Sequence, residues 1–325
     1  MPSIPDLPPS TTLEGRSVLV TGSNVGLGYS AALLSLQLGA SPVYLAVRTP
    51  AKGDKARETL LADPVVKKNN PNAVVKVYQL DMSTWDGVTS FASKFIADRK
   101  AAGEGLDVAM LNAGIINMAY EVAPTGNEAV LQVNHLSTAL LSLLLLPLLE
   151  SSTTPAHTAR LMIVTSGTHK RTSLKANPPE DFNYILSLND KKTFGAMDRY
   201  GLGKLLIIFF LRELCEKVTS DKIIINDVCP GMIKTELNRN APFWAWPVIW
   251  AMQLGSNPVE KGAACYVAAV ASVGKESHGL WYQYMRLTPY APVVTDEEGK
   301  KLQKRIWNET LGVLDKVVPG IGSGI

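Results

Sequence analysis

Seven short apolar runs alternate with segments of helical period along nearly the whole chain, and that alternation restricts the fold more than any other feature. The runs are Arg16–Thr21, Val43–Val47, Val74–Leu80, Leu106–Leu111, Arg160–Thr165, Ile223–Cys229 and a short last one at Gly279–Tyr282. Helices are expected at Leu27–Leu38, Ala51–Leu61, Thr84–Ala101, Gly126–Leu149, Arg199–Val218, Val259–Ser272 and Thr295–Leu311. Gly39 should stop the first, and Pro147 should break or kink the fourth. Strands that are apolar on both faces must be covered on both faces. That requires βαβ crossovers, a mostly parallel doubly wound sheet, and helices on either side. Such sheets bind ligands beyond the carboxyl ends of their strands, so the residues that follow each run carry the functional argument.

The first of these positions is the most specific. After the first strand comes Gly22-Ser23-Asn24-Val25-Gly26-Leu27-Gly28, with three glycines at spacings of four and two. Glycine allows a tight turn and close approach of a ligand to the backbone. The helix that follows offers unpaired N–H groups and the positive end of its dipole, a natural seat for a pyrophosphate. The bland alternative is a tight turn and nothing more; the strand before it and the helix after it favour the cofactor reading.

Bulk properties exclude several classes. The 325 residues, 46% hydrophobic and 19% charged, can bury a large core, and the net charge of +3 gives no support to nucleic-acid binding. Cys215, Cys229 and Cys265 lie far apart, with neither metal-ligand spacing nor an even count for a disulfide framework. A reducing, cytoplasmic setting follows. Residues 1–14 form an extension with four prolines in its first nine positions and no basic residue, unlike a signal peptide. Leu136–Leu149 and Ala241–Leu254 are apolar but only 14 residues each, short of the roughly 20 a spanning helix needs. The first reads as a buried or interface helix, the second as a candidate for weak membrane-surface contact.

The TGxxxGxG turn, with the motifs that follow it in order, resembles the short-chain dehydrogenase/reductase family over roughly Ser17 to Thr235. Asp81, with Met82, matches the acid after the third strand that contacts adenine. Asn112-Ala113-Gly114 matches the NAG motif that lines the cofactor, and Asn134 matches the helix asparagine that holds a catalytic water. Ser166 matches the catalytic serine, Tyr200 and Lys204 the YxxxK pair. Pro230-Gly231 with Thr235 matches the motif beside the nicotinamide carboxamide. Val133–Leu136 and Tyr200–Leu214 are most similar to the retinol-dehydrogenase-like branch and to ketoreductases of fungal biosynthetic clusters, that is, of secondary metabolism. The resemblance implies one domain over 1–325, a three-layer αβα Rossmann fold, and a seven-stranded sheet in the order 3-2-1-4-5-6-7. It implies a homodimer or homotetramer through the apolar helices at Leu136–Leu149 and Leu202–Leu214, with a monomer as the alternative.

Two departures stand out. Ser166 and Tyr200 are 34 residues apart, where compact family members have about a dozen between them. The extra segment, 168–198, reads as an excursion over the site mouth, a lid. Gly203 precedes the lysine where a small hydroxyl residue or alanine is usual, to the benefit of close packing or ligand approach.

The chemistry follows from the residue types. Tyr200 and Lys204, four apart, share a helix face. A free phenol has a pKa of about 10; a nearby ammonium is expected to favour phenolate and lower it. Ser166 would orient the substrate oxygen, and Asn134 would pass protons through a water. On its own a Tyr–Lys pair on a helix is a surface pair; beside Ser166 and the glycine turn it becomes a proton-transfer site. His135 reads as a packing residue, His169 as a pocket-lining candidate.

The second strand ends Val47-Arg48-Thr49 with no acid to hold ribose hydroxyls. Arg48 is placed to take a 2′-phosphate, so NADP(H) is expected. Residues 232–258, which close over substrate in the family, carry Phe243, Trp244, Trp246 and Trp250. Their lining suits a hydrophobic ketone, aldehyde or alcohol. The competing readings are altered chemistry in the same pocket, such as an isomerase or cyclase, and a non-catalytic NADPH-binding module.

Overall fold

The computed structural model describes residues 2–172, 174, 179, 181–234, 255–323 and 325. The strands are β1 (Val18–Thr21), β2 (Val43–Val47), β3 (Val75–Gln79), β4 (Val108–Leu111), β5 (Ala159–Val164), β6 (Ile223–Cys229), β7 (Trp281–Gln283) and β8 (Arg286–Thr288). They form one sheet in the order β3-β2-β1-β4-β5-β6-β7-β8. Every neighbouring pair is parallel except β7 and β8. The expected doubly wound Rossmann sheet is therefore present, with eight strands instead of seven. The extra strand exists because the chain doubles back at Tyr284 and Met285, whose φ angles are 51° and 58°. A hairpin of this kind normally advertises itself with Asn or Gly at its two central positions. Here a tyrosine and a methionine occupy them, so no local signal marks the turn.

The helices are α1 (Gly26–Gln37), α2 (Pro50–Ala62), α3 (Pro64–Asn69), α4 (Trp85–Ala101), α5 (Ala129–Leu131), α6 (Thr138–Ser152), α7 (Tyr184–Ser187), α8 (Ala196–Lys217), α9 (Val259–Ala271), α10 (Pro292–Thr295) and α11 (Glu297–Leu314). Side-chain caps start several of them. Asp63 accepts from the N–H groups of Val65 and Val66 at 3.0 Å each, and Thr84 Oγ1 accepts from Gly87 N at 3.0 Å. Such a cap stabilises its helix by about 1 kcal/mol. The two faces of the sheet hold separate cores. On one side Phe91, Phe95, Leu140, Leu161, Ile207 and Phe210 pack from α4, α6, α8 and the strands. On the other, Ala31, Leu36, Val43, Leu45, Tyr266 and Val267 pack from α1, α9 and the strands. Each large side chain fully removed from water contributes about 1.5–3 kcal/mol, which is why these runs carry so few polar residues.

The long apolar helical run departs from expectation in an instructive way. Pro147 lies inside α6 and does not end it. The irregularity is at Gln132–Ser137, which forms a π-helical turn between α5 and α6. Polar side chains support the wider turn: Thr138 Oγ1 donates to Val133 O at 2.9 Å, and Gln132 Nε2 donates to Ser137 Oγ at 2.8 Å. Ser137 in turn donates to Met82 O at 2.7 Å. Such turns recur at functional sites because they re-aim a side chain, and the residue re-aimed here is Asn134.

Among the described residues, Ala129–Ser152 is long and apolar enough to cross a membrane, and 94% of its most apolar stretch is buried within the fold. The two helices nominated as self-association surfaces are likewise consumed inside the subunit. Leu140, Leu141, Leu145 and Leu149 are fully buried, as are Leu205 to Leu211. Only Leu144 and Leu202 of their leucines remain half-buried. The second apolar run, Ala241–Leu254, lies outside the described residues.

The segment expected to be a lid is largely docked. Tyr184, Ile185 and Leu188 are buried against α8 and α11. Arg305 of α11 donates to Phe182 O, and Ile185 N donates to Glu309 at 3.1 Å. Asn189 accepts from Glu128 N at 2.8 Å and donates to Asn127 Oδ1 at 3.2 Å. The reason is composition: a polar stretch with three apolar anchors buries those anchors. The N-terminal extension is docked as well, with Ile4 and Leu13 buried, Asp6 paired to Lys261 at 2.5 Å, and Thr11 bonded to Ser272 at 2.8 Å.

Candidate active site

The glycine turn leaves β1 and enters α1 as the sequence requires. Gly22 and Gly26 have φ of 66° and 58°, in the left-handed region where a side chain would be strained. At Gly28 an added Cβ would stand 2.5 Å from Gly22 O and 2.6 Å from Asn112 Nδ2, so there is no room for one. The cap position of α1, Val25, provides no side-chain hydrogen bond, and the first turn carries no acid. The first-turn N–H groups of Gly26, Leu27 and Gly28 are left for a ligand. Ser23 is fully buried and its hydroxyl has no partner among the described residues. A buried hydroxyl is rarely left unpaired; here it adjoins an uncapped helix start. These features fit a dinucleotide phosphate. Asn24 continues the turn, half-buried.

The NAG motif braces this turn. Asn112 Nδ2 donates to Thr21 O at 2.9 Å, while its Oδ1 accepts from Tyr266 of α9 at 3.2 Å. Ala113 N donates to Thr21 Oγ1 at 2.9 Å. Asp81, just beyond β3, accepts from Ser83 N at 2.9 Å and Ser83 Oγ at 2.7 Å through one carboxylate oxygen. Met82 is buried beside it. Arg48 stands exposed immediately after β2, at the rim of the same crevice.

Ser166, Tyr200 with Lys204, and Asn134 come from three parts of the chain: the turn just after β5, helix α8 and the π-helical turn. Ser166 follows β5 and caps a 3₁₀ turn over Gly167–Arg171, accepting from Thr168 N at 3.3 Å. The Ser166 side chain acts on the Tyr200 phenol and lowers its pKa. Lys204 is 4% exposed, its Nζ donates to Val164 O at 2.7 Å, and it lies 5.8 Å from the Tyr200 ring centre. Gly114 sits between the groups: a Cβ there would be 3.2 Å from Asn134 Oδ1 and 3.6 Å from Lys204 Nζ. Asn134 Oδ1 accepts from Ile115 N and its Nδ2 donates to Ile115 O, both at 2.8 Å. The side chain thus works first as a clamp on the loop after β4.

The electrostatics differ from expectation. The Tyr200 hydroxyl is pushed up to about 12, chiefly by burial, and the Ser166 side chain offsets this only in part. Lys204 is pushed down to about 8, also by burial. The protein alone therefore does not favour phenolate. Desolvation of the buried phenol is the dominant cause.

His135 is fully buried and its Nε2 is 2.8 Å from Thr310 Oγ1, a packing role. His169 does not line an open pocket. It is fully buried, edge-on to Trp281 at 4.8 Å, with Nδ1 bonded to Ser166 O at 2.7 Å, so it supports the serine from behind. Gly203 packs against Asn134 and Val130, where a Cβ would make ordinary contacts at 3.5 and 3.7 Å, so close approach does not require glycine. Pro230 is buried, and Gly231 has φ of 80° and lies under the Tyr284 ring, 2.2 Å from where its Cβ would be. Thr235, Phe243, Trp244, Trp246 and Trp250 lie outside the described residues.

Several residues had no sequence signal. Cys229 ends β6 and its Sγ accepts from Gly167 N at 3.3 Å. Glu128 and Arg199, 0% and 1% exposed, pair at 3.5 Å. Glu128 also accepts from Val130 N and Leu131 N at 3.1 and 2.9 Å, so it starts the helical run that carries Asn134. Arg199 directly precedes Tyr200. Only their adjacency to motif residues could have drawn attention to them.

The model of the short chain dehydrogenase family matches residues 16–175. A short chain dehydrogenase of Arthrobotrys oligospora is 42% identical over 325 residues, covering 98% of each chain. The chain belongs to the short-chain dehydrogenase family. The short-chain dehydrogenase/reductase tropG of Talaromyces stipitatus is 35% identical, over 97% of this chain and 96% of its own. The family is one of oxidoreductases that use nicotinamide cofactors, and the likeness to fungal members agrees with the resemblance drawn from the motifs. Among solved structures, an uncharacterised protein from Mycobacterium paratuberculosis has a TM-score of 0.67 at 22% identity, covering 95% of both chains. The RhlG/NADP complex of Pseudomonas aeruginosa has a TM-score of 0.62 at 21% identity, covering 85% of this chain and 96% of its own. At such identities these two likenesses concern the fold.

Proposed function

We propose that this dehydrogenase interconverts a hydrophobic ketone or aldehyde with its alcohol, using NADP(H), with Tyr200 as general acid and base. The observation that carries the reading is the approach of Asn134 and Lys204 to Gly114 of the NAG motif, with Tyr200 beside Lys204 on the same helix. When bound, the nicotinamide supplies or accepts the hydride. Gly22 to Gly28, Arg48, Asp81 and the NAG motif would hold the dinucleotide, with Arg48 on a 2′-phosphate.

The proton chemistry falls to the chain itself. Because burial keeps the Tyr200 phenol protonated at neutral pH, it is the donor that carbonyl reduction needs. Ser166, just after β5, orients the substrate oxygen beside that phenol. The Lys204 ammonium, fixed by Val164 O, stabilises the phenolate that forms as the proton leaves. Asn134 Oδ1 keeps a second lone pair for a water that returns a proton from solvent. A small apolar molecule is the partner, and a cytoplasmic location accords with the three free thiols.

The test is Tyr200→Phe, assayed with NADPH and NADH over a panel of apolar ketones and alcohols. Turnover should fall by at least about 10²-fold, the usual worth of a positioned acid, while cofactor affinity by fluorescence titration stays unchanged. Retained activity would remove Tyr200 from the mechanism.

A further inference from the structure

At the carboxyl ends of β5, β6 and β7 three residues meet that the reaction described above does not use. Cys229 ends β6 and is in register with Gln283, the last residue of β7. Gln283 Nε2 donates to Cys229 Sγ at 3.4 Å, and Gly167 N, next to the serine, donates to the same sulfur at 3.3 Å. A Cβ on Gly167 would lie 3.5 Å from Gln283 Nε2. The amide is thus held against the Ser166–Gly167 turn, on the sheet face of Trp281, whose ring packs on the histidine behind that turn.

One half of this amide has work and the other does not. Its nitrogen is spent on the thiol. Its Oε1 has no hydrogen-bond partner among the described residues, and the residue is half-buried. A carbonyl oxygen at the carboxyl end of a strand, the end at which a parallel sheet takes its ligands, is an acceptor available to a donor. Among the described residues, no hydroxyl is bonded to it.

We propose that Gln283 is a specificity-determining residue whose Oε1 accepts a hydrogen bond from a hydroxyl group of the substrate, so that the preferred substrate is an apolar ketone carrying a second, hydroxyl function near the reacting carbonyl. This rests on the oxidoreductase reading above and narrows it. A site built to pair with a substrate hydroxyl discriminates strongly against the analogue that lacks it, because its own acceptor is left unpaired. An apolar pocket without such a group makes no comparable distinction.

The experiment compares acetophenone with its 3′-hydroxy and 4′-hydroxy derivatives as substrates of the wild type, Gln283→Leu and Gln283→Glu. In the wild type at least one hydroxylated ketone should exceed acetophenone in kcat/KM by roughly tenfold. Gln283→Leu should abolish that preference through KM, with kcat on acetophenone little changed. Gln283→Glu, which retains an acceptor, should keep it. A merely structural role would lower all three ketones together. Equal wild-type rates on all three, a preference that survives in Gln283→Leu, or no reduction of any of them overturns the proposal. Failure of the oxidoreductase reading is separate: it would appear as no turnover across the whole ketone and alcohol panel with either nicotinamide.

Discussion

Replacing Arg199 by methionine removes one partner of an ion pair that neither solvent nor another cation can replace. Glu128 and Arg199 are 0% and 1% exposed and 3.5 Å apart. At an effective dielectric of about 20 two unit charges at that distance attract by roughly 5 kcal/mol. Arg199 also donates to Leu188 O and to Thr193 Oγ1, the latter at 3.2 Å, so its loss strands acceptors in the docked 168–198 segment as well. Breaking a buried pair from one side costs about 3–5 kcal/mol, mostly because the surviving charge stays buried alone. Arg199→Met should therefore lose stability in that range by urea unfolding. Glu128→Gln should lose less, since an amide oxygen still accepts one of the two helix N–H groups. The double variant should be less damaged than the sum of the singles, with a coupling of at least about 2 kcal/mol. Additive losses, or a single-variant cost below about 1 kcal/mol, would refute the claim that this pair locks the Tyr200 helix to the run carrying Asn134.

Two further outcomes can be measured directly. Arg48→Asp should raise KM for NADPH far more than for NADH in initial-rate assays; equal effects on both would defeat the assignment of Arg48 to a 2′-phosphate. Asp227, fully buried and bonded by Tyr290 and Thr165 at 2.5 and 2.8 Å, is pushed up to about 7 by burial. An acid raised above its unfolded value of about 3.9 favours folding fully only below that value, and the benefit is lost as pH rises through about 7. Asp227→Asn cannot titrate, so its stability relative to wild type should grow between pH 4 and 7, by up to about 4 kcal/mol, and level off above. A difference between the two proteins that does not change with pH would show that Asp227 is ionised in the fold.

The glycine turn, the NAG motif, Ser166 and the Tyr200–Lys204 pair were readable in the sequence because each depends on chemistry confined to a few consecutive residues. A turn with φ of 66° needs glycine, and a helix face is set by a spacing of four. The first six strands and most helices were readable for the same reason, since burial on two faces writes itself into consecutive apolar residues. The hairpin at Tyr284–Met285 was not, because its two left-handed residues are of types that do not favour that conformation, and the Tyr284 ring packs over Gly231, far earlier in the chain.

The sequence by itself determined the first six strands, the glycine turn and the order of the candidate site residues along the chain, because local backbone and side-chain demands are met by neighbouring residues. Only the tertiary structure decided how those groups are tuned. Burial raised Tyr200 where a nearby lysine was expected to lower it, a π-turn aimed Asn134 at Ile115, and three strand ends put Gln283 beside Ser166. Desolvation and convergence of distant strands depend on what surrounds a residue in space, and no window along the chain contains that information.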